Sequence, residues 1–163
     1  MDIKIKQATE KDINVILLMM EKLYLELGEE KESIKFLDKN LIKEIFESGR
    51  TIILQALTET SEPCGMLTLT ESQAIYAGGK YGVIDEMYVS KKYRSLNIGK
   101  KLIKKAREIA LEKNWKRLDV TAPTEDNKRT VKFYESNGFT FTGPKLKLKI
   151  EKLSYMDEIL KID

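Results

Sequence analysis

The residues with the clearest chemical potential lie between positions 89 and 103, where the chain reads VSKKYRSLNIGKKLI. This stretch joins an apolar run, typical of a buried strand, to a segment with helical periodicity that starts near Ile98. Lysines in the first turn of a helix oppose its macrodipole, which favours anions there by roughly 0.3–1 kcal/mol per charge. A phosphate at the helix start would resolve this conflict, because free backbone N–H groups already form an anion site there. On spacing alone, the alternative is a solvated basic face on an ordinary helix.

Basic residues are concentrated around this stretch, although the net charge of the whole chain is only +3. Between positions 91 and 117, eleven basic residues are accompanied by only two acidic residues. The basic residues are Lys91, Lys92, Arg94, Lys100, Lys101, Lys104, Lys105, Arg107, Lys113, Lys116 and Arg117. Such a region attracts anions. A nucleic-acid surface is the alternative from another functional class. It is disfavoured because the nearby aromatic residues are few, Tyr93 and Trp115, and no nucleic-acid-binding motif accompanies the lysines.

The composition excludes several kinds of chemistry. Histidine is absent, which removes both the usual general base and the commonest metal ligand. The single cysteine, Cys64, rules out an internal disulfide and a Cys-x-x-Cys metal knuckle, and we interpret it as a small buried residue. We therefore expect no metal, and we expect proton transfer to run through Asp, Glu, Tyr, Lys or water.

Residues 94–99, RSLNIG, resemble the Arg/Gln-x-x-Gly-x-Gly/Ala motif of the GNAT superfamily of N-acetyltransferases, whose turn cradles the pyrophosphate of acetyl-coenzyme A. Asn97 stands where the family has its first glycine. Asn is the non-glycine residue that best tolerates a left-handed backbone, so we expect the turn to persist. The resemblance implies that coenzyme A is bound by this turn and by the backbone of the preceding strand, through Met87, Tyr88, Val89, Arg94, Ser95, Leu96, Asn97, Ile98, Gly99 and Lys100.

A second match lies at residues 127–139, NKRTVKFYESNGF, which are similar to the Asn-x-x-Ala-x-x-x-Tyr-x-x-x-Gly-Phe signature of the same family. Asn127 is suited to cap a helix and Gly138 to end it in a left-handed turn. The resemblance also places Asn127 in the cofactor site. It implies that Tyr134 is catalytic and donates a proton to the departing thiolate. The alternative interpretation of Tyr134 is a packed helix aromatic.

Acyl transfer to an amine requires a group that accepts the amine's proton. A lysine-like amine is neutral in only about one part in a thousand at pH 7.4, so a carboxylate or a water chain must take up the proton. Glu86 lies on the strand before the turn and is our candidate catalytic base, although a strand carboxylate bonded to the sheet or facing water is the alternative. Strand alternation predicts that its neighbour Asp85 points to the other face.

Patterns elsewhere predict the elements that position these residues. Apolar spacing and capping residues predict a helix from a cap at Thr9 or Asp12 to about Leu27, and further helices at about 38–47, 98–114 and 128–137. Runs bounded by turn residues predict strands at about 3–5, 51–57, 65–70, 82–89, 117–121, 139–142 and 145–152. The order indicates an α/β fold with a central mixed sheet of the α+β type, mostly antiparallel and flanked by helices, as in GNAT proteins.

Length and composition indicate a single domain, residues 1–163, with 42% hydrophobic and 34% charged residues. No run looks membrane-spanning, and the N-terminus lacks the basic-then-apolar pattern of a signal peptide. We therefore expect a cytoplasmic protein without a membrane partner. Whether it forms a monomer or a homodimer is open.

Taken with the resemblance, these features predict an N-acetyltransferase that uses acetyl-coenzyme A as cosubstrate and acetylates a primary amine by direct attack. The expected partner is a small-molecule or peptide amine, which the sequence does not identify. Acceptor choice is expected in the first two helices and their loop, whose acidic residues suit a cation but equally suit a solvated loop: Glu26, Glu29, Glu30 and Glu32. Transfer of another acyl group, or coenzyme A binding without turnover, remains an alternative.

Overall fold

The structure is a computed structural model, and it describes residues 2–121 and 127–143. Its strands are β1 Lys4–Gln7, β2 Thr51–Leu57, β3 Pro63–Ala74, β4 Gly79–Val89 and β5 Leu118–Val120. Its α-helices are α1 Ile13–Glu26, α2 Lys39–Glu47, α3 Ile98–Glu112 and α4 Lys128–Ser136. Short 3₁₀ turns, Glu10–Asp12 and Lys91–Tyr93, precede α1 and α3.

The five strands form one sheet in the order β1-β2-β3-β4-β5. The first three neighbouring pairs are antiparallel, and β4 pairs with β5 in parallel. This arrangement confirms the predicted mixed, mostly antiparallel sheet. Within the described residues β5 pairs with β4 only at positions 82–84, so the C-terminal half of β4 runs past the end of its partner.

Helices cover both faces of the sheet. One buried cluster joins α1 and α2 to the sheet, and its members include Ile16, Met19, Met20, Ile42, Ile53, Met66 and Tyr88. The helix α3 lies on the other face, since a Cβ at Gly65, the neighbour of Met66, would lie 3.1 Å from Cγ2 of Ile98. A glycine at position 65 therefore allows the start of α3 to approach the sheet closely.

Side-chain caps define the helix starts much as the sequence predicts. The backbone N–H of Thr9 donates to the carboxylate of Asp12 at 2.9 Å, as in a capping box before α1. The carboxylate of Asp38 accepts from the backbone N–H of Leu41 at 2.9 Å and caps α2. Gly49, with a φ of 65°, follows the end of α2. These caps fix the two helices that cover the α1–α2 face.

The chain divides into two compact units, Met1–Thr121 and Ala122–Asp163, and the second contains α4. The prediction that residues 1–163 form one domain stays a prediction. The predicted strand at residues 139–142 is wrong. Its alternating pattern needs a neighbouring strand to complete the ladder, none within the described chain pairs with it, and Phe141 is 47% exposed. The predicted strand at 145–152 lies outside the described residues.

Candidate active site

A β-bulge places two carboxylates side by side on β4. Leu67 pairs with Met87 and Leu69 pairs with Ile84, so two residues of β4, Asp85 and Glu86, oppose the single residue Thr68 of β3. The extra residue breaks the alternation of side chains, and both carboxylates line one cavity. The prediction that Asp85 points to the other face was therefore wrong, because the period-two rule holds only where the two strands pair residue for residue.

Threonine hydroxyls hold the two carboxylates in place. Thr68 Oγ1 donates to Glu86 Oε2 and accepts from the backbone N–H of Glu86 at 2.9 Å. Thr70 Oγ1 donates to Asp85 Oδ2 at 2.7 Å. The hydroxyl of Thr51 lies 3.0 Å from that of Thr70 and must be the donor in that pair, because the single proton of Thr70 is engaged by Asp85.

Burial makes Glu86 a stronger base than an ordinary glutamate. Desolvation raises the pKa of the Glu86 carboxyl, the negative charge of Asp85 raises it further, and the hydrogen bond from Thr68 opposes the shift. The phenol of Tyr24 also responds to this charge, since burial first, and then Glu86, raises the pKa of Tyr24. A carboxylate with a raised pKa holds an abstracted proton more readily, which is the property that a general base needs.

A cavity of about 310 Å³ lies against Asp85 and Glu86 on the α1–α2 face of the sheet. The two helices supply its apolar walls, through Ile16, Met20, Tyr24, Leu41, Ile42 and Ile45. Phe36 and Leu37, from the connection between the helices, complete these walls, and the Phe36 ring stands edge-on to Tyr24 at 6.0 Å. None of the lining residues in the part of the chain that the structure describes is basic. The cavity thus combines apolar walls with one acidic end.

The candidate phosphate turn has a left-handed backbone at the position where the family motif has its first glycine. Asn97 adopts a left-handed conformation with a φ of 59°, as the sequence predicts, and Ser95 does so with a φ of 71°. The side chain of Asn97 makes no capping bond, and the first intrahelical bond runs from the Lys101 N–H to the Asn97 carbonyl at 3.0 Å. The backbone N–H groups of Ile98, Gly99 and Lys100 therefore have no partner within the helix, and they can donate to an anion.

Side chains of the turn point in different directions. Ile98, the first residue of α3, is buried, while Leu96 is 43% exposed and Lys100 is exposed. Tyr93 is buried and its hydroxyl donates to Glu62 at 2.5 Å. Trp115, also buried, donates its indole N–H to Glu71 at 2.8 Å. The two aromatic rings near the basic stretch are thus engaged in packing, which argues against base stacking by a nucleic acid.

At the C-terminal half of β4, the edge away from β3 has no neighbouring strand among the described residues. The N–H groups of Glu86 and Ser90 both point to β3, where they bond to the Thr68 hydroxyl and the Cys64 carbonyl. Backbone groups alternate sides along an antiparallel strand, so those of Met87 and Val89 point to the opposite edge, beyond the end of β5. The Tyr88 side chain, in contrast, is buried in the core cluster.

Arg94 is paired with an acidic residue that lies far from it in the sequence. Its guanidinium binds the carboxylate of Glu26, at the end of α1, at 2.5 Å, and its Nε donates to the Val89 carbonyl at 3.0 Å. Lys91 lies 4.0 Å from the same carboxylate. Glu26 is thus next to the candidate phosphate turn. The expectation that Glu26 belongs to an acidic acceptor loop did not include its pairing with Arg94.

In the second unit, the structure confirms the helix and its caps. The Asn127 side chain accepts from the Thr130 backbone N–H at 3.3 Å and from its hydroxyl at 3.0 Å. Gly138 follows α4 with a φ of 91°. Tyr134 is buried between the rings of Phe133 and Phe139, whose centroids lie 5.3 and 5.5 Å from its own. Burial raises the pKa of Tyr134 to about 12, so its phenol is protonated at neutral pH.

Four polar residues of the site were missed from the sequence, namely Thr68, Thr70, Tyr24 and Thr51. The alternation in LTLTES, which places the two threonines on one strand face, was the available signal for the first two. Cys64 is fully buried, as predicted. Within residues 2–121 and 127–143, no group of three or more Cys, Asp or Glu side chains is placed to hold a metal ion, and no helix has the length and apolarity to cross a membrane.

Comparison with protein families gives a match over most of the chain. The model of the Acetyltransferase (GNAT) family matches residues 17–139, which include the bulge, the candidate phosphate turn and α4.

Solved structures share the fold at low sequence identity. An aminoglycoside acetyltransferase from an uncultured soil metagenomic sample is 20% identical, with a TM-score of 0.76 over 93% of this chain and 97% of its own. A predicted acetyltransferase with acetyl-CoA from Clostridium acetobutylicum is 19% identical, with a TM-score of 0.76 over 91% and 96%. The ribosomal-protein-alanine N-acetyltransferase of Brucella melitensis biovar Abortus 2308 is 17% identical, with a TM-score of 0.73 over 92% and 100%.

Proposed function

The chain belongs to the GNAT acetyltransferase family and is an acyltransferase enzyme, and from this premise we propose that it transfers an acetyl group from acetyl-coenzyme A to a primary amine. The observation that carries the proposal is the position of Glu86. Its carboxylate has a raised pKa, lines the cavity and lies on the strand that leads directly into the phosphate turn. Glu86 therefore lines the acceptor cavity and lies only a short distance along the chain from the anion site at the start of α3.

Glu86 serves in this proposal as the base. The amine nitrogen attacks the thioester carbon, the new C–N bond forms, and the C–S bond breaks. The proton that the amine loses passes to the Glu86 carboxylate, directly or through one water molecule. Thr68, which bonds to both the carboxylate and the backbone N–H of Glu86, orients it.

The residues at the end of β4 and the start of α3 suit coenzyme A. In this proposal the backbone groups of Met87 and Val89 would pair with a pantetheine arm that continues the sheet edge. The N–H groups at the start of α3 would bind a pyrophosphate, and the lysines of the first turn, Lys100 and Lys101, would balance its charge. The local conflict between those lysines and the helix macrodipole is then removed.

Tyr134 supplies the proton for the departing thiolate in this proposal. The role follows from its place in the second family motif, and it is supported by a pKa of about 12, which keeps the phenol protonated over the working pH range. The thiolate is a good leaving group, so mild acid assistance is enough.

The test is a thiol-release assay with acetyl-coenzyme A and a panel of primary amines, with Glu86→Gln as the comparison variant. We expect amine-dependent release of coenzyme A by the wild-type protein, and about 10²–10⁴-fold slower release by the variant. A chain that binds acetyl-coenzyme A but releases no thiol with any amine would overturn the proposal in favour of coenzyme A binding without turnover.

Unfolding of the Glu86→Gln variant would not explain such a loss. Burial raises the folded-state pKa of Glu86 above its ordinary value of 4.5, so the ionised carboxylate destabilises the fold. The stability gained by protonation is complete below that ordinary value and is lost as the pH rises through the folded-state pKa. Because Gln carries no charge, the variant should be at least as stable as the wild type at neutral pH, which a thermal melt would check.

A further inference from the structure

We propose that the acceptor is a primary amine with an apolar body, an alkylamine or arylalkylamine, rather than a polyhydroxylated or polycationic amine. This inference rests on the proposed function and specifies the substrate class of the same site. It follows from the chemistry of the cavity on the α1–α2 face of the sheet.

The walls of this cavity are mainly apolar. Of its fourteen lining residues, nine are aliphatic or aromatic, three are threonines and two are the carboxylates Asp85 and Glu86. Its volume of about 310 Å³ lies at the small end of the range for ligand sites. An apolar chain that fills such walls gains affinity with every methylene it buries.

The threonine hydroxyls of the cavity are already engaged with its carboxylates or with one another. Thr51 donates to Thr70, Thr70 donates to Asp85 and Thr68 donates to Glu86. The threonine hydroxyls therefore have no proton left for a sugar hydroxyl. Apart from the Tyr24 phenol and the free oxygens of the two carboxylates, the lining offers no unengaged polar group among the described residues, so hydroxyls along the body of an acceptor would lie against apolar walls at a desolvation cost.

The two carboxylates select for a single cationic head group. Each uses one oxygen, Oδ2 of Asp85 or Oε2 of Glu86, to accept from a threonine, so the other oxygen can accept from an ammonium group. The walls of the cavity within the described residues carry no further acidic side chain. Both carboxylates stand side by side at one end of the cavity, so a second ammonium group further along the acceptor would lie against apolar walls, away from either negative charge. The acidic end therefore fits one amine, and the walls fit the apolar remainder of the molecule.

The test is a homologous series of n-alkylamines, ethylamine, butylamine and hexylamine, titrated calorimetrically into the wild-type protein. These amines have similar pKa values, so their affinities differ only through the chain. Burial of each methylene should tighten binding about fourfold, so hexylamine should bind roughly 15-fold more tightly than butylamine. Ethanolamine and the polyamine spermidine are the polar and polycationic comparisons, and both should bind more weakly than butylamine.

Two variants and one matched control connect this series to the cavity. Phe36 is 56% exposed at the cavity, so Phe36→Ala removes wall surface with little risk to the fold, and it should weaken hexylamine binding while ethylamine binding is unchanged. Ile75, which is fully exposed away from the cavity, gives the matched control Ile75→Ala, and it should change neither. Asp85→Asn should weaken all three alkylamines by a similar factor and preserve the gain per methylene.

A flat series, or tighter binding of ethanolamine or spermidine than of butylamine, would overturn the inference. The thiol-release assay separates this failure from failure of the proposed function. Amine-dependent release together with a flat alkylamine series rejects only the substrate class. Tight, chain-length-dependent binding without any release rejects only the proposed catalysis.

Discussion

The hydroxyl of Thr68 makes two hydrogen bonds with Glu86. It donates to the carboxylate, and it accepts from the backbone N–H at a distance of 2.9 Å. One buried side chain of β3 thereby fixes the position of the candidate base and lowers its pKa against the effect of burial. The bulge makes this double contact feasible, because Thr68 faces two residues of β4 rather than one.

Replacing Thr68 by Val should shift the pH dependence of catalysis to higher pH. The substitution removes the hydrogen bond that lowers the pKa of Glu86, so the carboxylate is protonated at a higher pH and the acidic limb of kcat/KM moves upward. The measurement is the ratio of kcat/KM between variant and wild type against pH, in which the titration of the amine substrate cancels. Thr68→Ser retains the hydroxyl and should leave the limb in place. An unchanged limb in Thr68→Val would mean that Glu86 is not the titrating base.

The backbone of the candidate phosphate turn could be predicted from the sequence because it depends on local residues. The left-handed backbone of Asn97 and the helix that starts at Ile98 depend on a few consecutive residues. The same holds for the cap at Asn127 and the turn at Gly138 in the second unit. Motifs of this kind are read directly from neighbouring residues.

The cavity beside Asp85 and Glu86 could not be predicted because it depends on how distant segments pair. Alternation along β4 separates Asp85 from Glu86, and only the register of β3 against β4 brings both to one cavity. Arg94 and Glu26 are 68 residues apart, and nothing in the local sequence of either marks the other as its partner. The same limit explains the wrong strand at 139–142, where the alternating pattern was present but a pairing strand in the described chain was not.

Replacing Glu26 by Gln should tighten binding of coenzyme A. Glu26 holds the Arg94 guanidinium at 2.5 Å, and a pyrophosphate at the turn would compete for the same cation. Exposed ion pairs contribute about 0.2–1 kcal/mol, so the gain should reach at most about fivefold. It should shrink as salt is added, since both interactions are screened. Calorimetric titration with coenzyme A measures it.

The matched control for this variant is Glu47→Gln. Glu47 is exposed and lies 3.7 Å from Lys43 on α2, so the substitution removes an ion pair and a negative charge elsewhere. It should leave the affinity for coenzyme A unchanged. Equal gains in both variants would show that net charge, and not release of Arg94, is responsible, whereas a loss in Glu26→Gln would show that Glu26 supports the bound state.

The side chain of Asn97 should be dispensable, but its left-handed backbone should not. Asn97→Gly preserves a φ of 59° without strain and removes a side chain that makes no capping bond, so coenzyme A affinity should be kept or improved. Asn97→Val puts a β-branched residue into the same conformation, at a cost of about 1–2 kcal/mol, and should weaken binding. Calorimetry with coenzyme A and a thermal melt measure the two effects. A large loss of affinity in Asn97→Gly would instead reveal a contact made by the amide.

Tyr134 should contribute to the chemical step and not to binding. A phenol that protonates the thiolate interacts most strongly in the transition state, so Tyr134→Phe should lower kcat and kcat/KM together and leave the KM for acetyl-coenzyme A nearly unchanged. We expect a loss of about 10²-fold, the lower end for general acid catalysis, because a thiolate leaves readily. Since the pKa of Tyr134 is about 12, the loss should be the same from about pH 7 to about pH 9. Phe keeps the ring contacts with Phe133 and Phe139, so a thermal melt should show an intact fold. Turnover at the wild-type rate, with chemistry shown to be rate-limiting, would leave Tyr134 as a packing aromatic and make water the proton donor.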